Sequence, residues 1–240
     1  VIDLTPTGFK ITASNAHYNE NGETIIYCAI RRPDGYCGKP PELGTDVFAM
    51  DTGNGSSTIP AFDSNFPVDF ALLKAPASSD NWAASGRLIQ GKYLLPNSAN
   101  AESAYAPYAF DSNVGWSYSS WINSTYQSWM WKRSSSFTTL AYTGNWSLGG
   151  NTNGQRLAHD LNNVPEMIWV KRMSVQQWGA WHHGLNGGSS PEDYYVVLNT
   201  DGAESNDSGV FLLSAPTSTH IDVGTSAYAN SNNKDYLMML

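Results

Sequence analysis

One apolar pattern occurs twice along the chain, and that repetition limits the fold more than any single motif does. Phe70-Ala71-Leu72-Leu73-Lys74 has a counterpart in Met167-Ile168-Trp169-Val170-Lys171, 97 residues later. Asn100-Ala101-Glu102-Ser103 is echoed by Gly202-Ala203-Glu204-Ser205 at an offset of 102. Asp51-Thr52-Gly53-Asn54-Gly55 is echoed by Tyr142-Thr143-Gly144-Asn145-Trp146 at an offset of 91. The apolar run beginning at Tyr126 matches the one beginning at Tyr236. A partial copy opens the chain: Pro6-Thr7 and Ile11 align with Pro216-Thr217 and Ile221 at a constant offset of 210, and Tyr18 falls on Tyr228. The organisation expected is the C-terminal part of a preceding unit at residues 1–37, then complete units at 38–136 and 137–240. Because Val1 begins inside a unit and Leu240 closes an apolar run, we expect a piece of a longer polypeptide.

Each unit reads as β structure. Helical periodicity is nearly absent, and the apolar segments are short, rich in Val, Ile, Phe, Tyr and Trp, and bounded by Asn, Gly, Ser and Pro. Val68 to Leu73, Met167 to Val170 and Tyr194 to Leu198 are apolar almost without interruption, which suits strands buried on both faces. The fold class expected is all-β, as tandem antiparallel β-sandwich units (jelly-roll or lectin-like) of about 100 residues each.

Composition narrows the partners. A net charge of −8 with only 14% charged residues offers no basic face for phosphates, so nucleic acid is excluded as a partner. No run approaches the roughly 18 apolar residues of a membrane helix, so no membrane partner is expected either. Cys28 and Cys37 are too few for a disulfide framework; Cys28 reads as a small buried hydrophobe, with a bridge to Cys37 as the alternative.

The second complete unit carries a resemblance. Tyr142-Thr143-Gly144-Asn145 is followed by Val164-Pro165-Glu166-Met167-Ile168-Trp169-Val170-Lys171-Arg172, by Trp178, and by Trp181-His182. Leu198-Asn199-Thr200, Ala215 to Thr219, Val223-Gly224-Thr225 and Asp235-Tyr236 then follow in order. This series resembles the repeats of large bacteriophage tail and fibre proteins, often those of marine phages. The resemblance implies lectin-like β-sandwiches in a virion appendage. The middle unit departs from the pattern: Ala83 and Ala84 follow Trp82 where the family has an aromatic and a His, and Trp129-Met130-Trp131 replaces a Cys-containing closing strand. A ligand role in the last unit therefore need not hold in the middle one.

Catalytic signatures are missing from the sequence, which has no GxSxG elbow, HExxH, P-loop or dinucleotide fingerprint. The recurring Glu102 and Glu204 would need a second carboxylate about 5–9 Å away for glycosidase work, and a turn that bonds backbone amides is the simpler role. We read the chain as non-enzymatic, with no cofactor and no metal site. His182 and His183 point to opposite faces if their strand is regular, so one is expected packed and the other exposed. The oxygen-rich loop Asn199 to Asp207 is the one place for a structural Ca²⁺, though it lacks EF-hand spacing. Trp129 and Trp131 share a strand face and are expected to point inward. Trp178, Trp181, His182 and Asn186, around the loop Gly184-Leu185-Asn186-Gly187-Gly188, are the candidate ligand-binding residues, with core packing as the competing role for the two rings.

The function expected is that of a non-catalytic virion structural protein: a phage tail-fibre segment acting as spacer and in attachment to a host-surface glycan. Its partners would be copies of itself, as a homo-oligomer, or other virion proteins. A carbohydrate-binding module would instead show an exposed aromatic platform, and a capsid decoration protein large apolar self-contacts. A polysaccharide depolymerase would show paired carboxylates in a groove.

Overall fold

The computed structural model describes residues 43–146 and 154–240, together with the backbone of a hairpin formed by β1 (Ile2–Thr5) and β2 (Gly8–Ile11). The hairpin is antiparallel, with Ile2 opposite Ile11. The rest of the partial unit expected at 1–37, Cys28 and Cys37 included, lies outside the described residues. Residues 43–240 form one compact unit.

Within that unit the first half contributes β3 (Phe48–Thr52), β4 (Phe62–Asp63), β5 (Phe70–Lys74) and β6 (Ala83–Gly86). It continues through β7 (Lys92–Tyr93), β8 (Ser103–Ala104), β9 (Gly115–Trp116) and β10 (Gln127–Trp131). The second half contributes β11 (Thr139–Thr143), β12 (Gln155–Ala158), β13 (Met167–Arg172) and β14 (Gly179–His182). After these come β15 (Tyr194–Val197), β16 (Ser205–Asn206), β17 (His220–Val223) and β18 (Asp235–Met239). All the strand pairs among the described residues are antiparallel, and the molecule is all-β.

One sheet has the order β3-β10-β5-β6 and the other β11-β18-β13-β14-β15-β16. In both, the opening strand pairs with the closing strand, the closing strand with a long central strand, and the central strand with its hairpin partner. Each half also carries a short ribbon outside the main ladder, β4–β9 in the first and β12–β17 in the second. β7–β8 and β15–β16 make a further matched pair of hairpins, in which Tyr93 faces Ser103 and Tyr195 faces Ser205.

The central strands explain the layering. In β18, Tyr236, Leu237, Met238 and Met239 are all buried. Alternation sends Tyr236 and Met238 into the core of the second half, while Leu237 and Met239 enter a different cluster. β10 does the same in the first half: Met130 faces that half's own core and Trp131 faces away from it. A sheet apolar on both faces must be covered twice. Ribbons and loops cover the outer faces, and the inner faces cover each other.

Phe70, Ala84, Ile89 and Leu94 from the first half thus share a seam core with Trp178, Leu237 and Met239 from the second. Each large apolar side chain so removed from water contributes about 1.5–3 kcal/mol. Backbone bonds close the seam: the Glu102 N–H donates to Met173 O (2.8 Å), and the Gln176 N–H to Ala99 O (2.9 Å). Each half packs its ribbon on its sheet around a core of its own, and the two large sheets also face each other across the halves, because their central strands leave no solvent-tolerant face.

Candidate functional site

Trp178 and Trp181, the rings expected to form a recognition surface, are 0% and 3% exposed. Trp178 belongs to the seam core, and its indole N–H donates across the seam to Leu95 O at 2.8 Å. Trp181 lies in the core of the second half, with its indole N–H on Pro191 O at 2.8 Å. The physical reason is layering: Trp178, just before β14, enters the seam core, and Trp181 within it enters the core of the second half, so the packing on both sides of the sheet covers the two rings. Neither ring has a face to offer a ligand.

His182 and His183 are both exposed, and their rings lie 4.4 Å apart. The expectation of one packed and one exposed histidine fails because β14 ends at His182, where strict alternation stops. His182 Nδ1 accepts the Gly184 N–H at 3.0 Å, which holds the turn. Asn186 sits in the left-handed region (φ 50°), where Asn is tolerated better than most residues. Its N–H donates to Glu204 Oε2 (2.8 Å) and its side-chain amide to Ser189 O (2.7 Å). Asn186 and Glu204 therefore stabilise a loop. Glu102 takes another role, pairing with Lys92 Nζ at 2.6 Å.

In the loop expected to offer Ca²⁺ ligands, Asn199 Oδ1 already accepts the Trp178 N–H (2.9 Å) and Thr200 Oγ1 donates to Val197 O (3.1 Å). Among the described residues, no three His, Cys, Asp or Glu side chains converge as a ligand set.

A cavity of about 360 Å³ opens in the first half, away from all of these residues. Its floor is made of tyrosines. Tyr93 comes from β7 and Tyr105 follows β8, while Tyr108 closes the turn beyond, its N–H on Tyr105 O at 3.0 Å. The Tyr108 ring meets Tyr105 edge-on at 4.7 Å and Tyr93 at 5.7 Å. Tyr126 leads into β10 on another side, and Asp80 and Asn81 of the β5–β6 loop line the mouth with Trp121. Trp121 is 76% exposed. Trp129 and Trp131, expected inward, are half-buried, Trp131 against the seam core and Trp129 tilted against Trp82 at 5.1 Å.

Two polar groups set the electrostatics of the cavity. Lys74 Nζ donates to the carbonyls of Ser78 (2.8 Å) and Asp80, so its charge is already engaged. Tyr108 is 8% exposed, and its hydroxyl finds no hydrogen-bond partner among the described residues. Burial, reinforced by Tyr105, Tyr93 and Tyr126, pushes that phenol well above its usual range and keeps it protonated. It can both donate and accept.

The chain belongs to the family described as "Domain of unknown function (DUF7483)". That family's model matches residues 44–239. DUF7483 thus takes in both large sheets and the seam between them as one stretch. No curated protein and no solved structure matches the chain.

The second half of the DUF7483 stretch has a counterpart to the cavity. Tyr195 stands where Tyr93 does, and Tyr228 corresponds to Trp121: each bonds its N–H to the hydroxyl of a serine two residues earlier, Ser226 (3.1 Å) and Ser119 (3.3 Å) respectively. Here the rings close up. Phe211 stacks on Tyr195 at 5.6 Å, Tyr228 lies on Tyr195 at 5.5 Å, and the Tyr228 hydroxyl reaches Gln177 Oε1 at 3.4 Å. Sequence reasoning placed no ligand at Tyr93, Tyr105, Tyr108 or Trp121. The one available signal was that Trp121 lies in a Ser/Asn-rich turn, Ser119-Ser120-Trp121-Ile122-Asn123-Ser124, and not in a strand.

Proposed function

We propose that the chain is a non-catalytic structural segment of a bacteriophage virion appendage, a spacer that also takes part in attachment to the host surface. On this reading the two halves are copies of one lectin-like unit of about 100 residues. The same order of pairing in the two sheets and the matched hairpins support the duplication, and the ordered resemblance to tail and fibre repeats supports the setting. The observation that carries the reading is the seam core. Phe70 and Leu94 packed with Trp178, Leu237 and Met239 join the halves into one stiff body, which transmits force and holds a fixed spacing as a flexibly linked pair cannot.

Cryo-EM of intact particles tests this. Density for this body within a symmetric appendage, continuous with further β units, is the expected result. A free monomer absent from purified particles overturns it. A second reading, a carbohydrate-binding module, is favoured by one observation, the aromatic cavity beneath Trp121.

A further inference from the structure

We infer that the cavity beneath Trp121 is a binding site for a single neutral pyranose residue, free or at the end of a glycan. The inference gives the proposed attachment role a site and a ligand class, and rests on that role only for its biological setting.

The cavity has the makings of a site and not of a packing flaw. Its volume of about 360 Å³ falls in the range of small-molecule sites. The Tyr108 hydroxyl lines it without a protein partner, although the residue is 8% exposed. The hydroxyl itself opens to the cavity, where a hydroxyl-bearing ligand can both donate to it and accept from it. The counterpart in the second half is filled by the Tyr195, Phe211 and Tyr228 rings, so this arrangement of strands can close the space. In the first half Trp121 stays out at the rim instead.

The lining selects the ligand. Lys74 and Asp80 put opposite charges on the wall, so neither a phosphate nor an ammonium group meets a field of one sign. A wholly apolar ligand would leave the Tyr108 hydroxyl unpaired. A pyranose satisfies both parts of the wall. Its C–H face lies on an aromatic ring, and its hydroxyls reach phenols and amides that donate and accept. Trp121 supplies the exposed ring, and Tyr108 a hydroxyl that opens to the cavity. Asn81 accepts from Asn97 Nδ2 (2.8 Å) through its oxygen and keeps its own side-chain N–H for a ligand.

The test uses the whole chain and ligand-observed NMR, with the methyl pyranosides of glucose, galactose, mannose and N-acetylglucosamine as probes and choline and inorganic phosphate as charged controls. At least one pyranoside is expected to bind with a millimolar or lower Kd, and neither control to displace it. Trp121→Ala is expected to weaken binding at least about tenfold, as loss of an aromatic anchor does. Tyr108→Phe, which keeps the ring, is expected to weaken it about fivefold, while Tyr228→Phe leaves it unchanged. Failure of all four pyranosides to bind overturns the inference, as does binding that survives Trp121→Ala or is displaced by choline or phosphate. These results concern the isolated chain and are separate from the particle density, so failure of the site and failure of the virion reading are told apart.

Discussion

Tyr93 and Tyr195 occupy matching places, each on a short hairpin strand opposite a serine, yet their surroundings diverge. Around Tyr195, Phe211 and Tyr228 fold inward, and Gly179 makes room for them: a Cβ there would come within 2.4 Å of the Phe211 ring and 3.1 Å of Tyr228 Cβ. Around Tyr93, Ala83 lines an open cavity and Trp121 stands in solvent. The lysines of β5 and β13 differ in the same sense. Lys171 is fully buried with its ammonium on Arg172 O (2.8 Å) and Ser174 O (3.3 Å), and burial, with Arg172 adjacent, pulls it down to about 8. Lys74 remains half-buried at the cavity wall. Where one half uses its aromatic rings as core, the other leaves them as a surface. Ring count along the chain does not distinguish the two uses; the size of the residue beneath the rings does.

The sharpest way to break this contrast is to empty the filled half. Phe211→Ala removes a 1%-exposed ring stacked on Tyr195 and should cost about 3–5 kcal/mol. For a body of this size that lowers Tm by roughly 6–20 °C in calorimetry. Gly179→Ala attacks the same contact by overpacking and should cost about 1–3 kcal/mol. A Tm change under about 2 °C in both variants would mean that the second half is not filled as described.

Much of this architecture was legible before any coordinates. The pairing of Phe70–Lys74 with Met167–Lys171 falls on two central strands, and the Glu102 and Glu204 match immediately precedes β8 and β16. The match of Tyr126 with Tyr236 slipped. In the ladders Gln127 faces Thr52 and Asp235 faces Thr143, which sets Tyr126 against Lys234. A two-residue slip keeps every side chain on its face, so the apolar pattern cannot reveal it. Exposure was the least legible property. Trp178 and Trp181 precede a Gly-rich loop that looks open, yet they enter the seam core and the second half's core, and only the long-range packing shows that.

A second contrast separates the ribbons. β4–β9 is tied by rings, Phe62 and Phe110 stacking on Trp116 at 5.6 and 4.9 Å. β12–β17 is tied by the Arg156 guanidinium, bidentate on Asp222 at 2.8 Å for both bonds. Those bonds hold the Asp222 carboxyl below its usual range. A depressed folded pKa contributes stability above the unfolded value of about 4, and that contribution is lost as pH falls through the folded pKa. Hydrogen exchange of β12 and β17 amides should therefore accelerate below about pH 4 while β4 and β9 stay protected, and Asp222→Asn should remove that difference in pH response. Equal acid sensitivity in both ribbons would count against the ion pair as the cause.

The smallest expected effect is the most informative about use. Tyr228→Ala loses a ring packed on Tyr195 and a hydroxyl bond to Gln177, and should cost about 1–3 kcal/mol. Trp121→Ala, at the matching place, removes a larger ring that makes no aromatic contact among the described residues, and should change stability by no more than about 0.5 kcal/mol. Parallel denaturant titrations, compared at equal m-values, read the difference directly. If Trp121→Ala proved as costly as Tyr228→Ala, the first-half ring would be structural and the contrast between the halves would collapse. If it is silent, a large apolar ring kept in water contributes nothing to folding, and its place at the mouth of an aromatic cavity is accounted for by what it contacts from outside the chain.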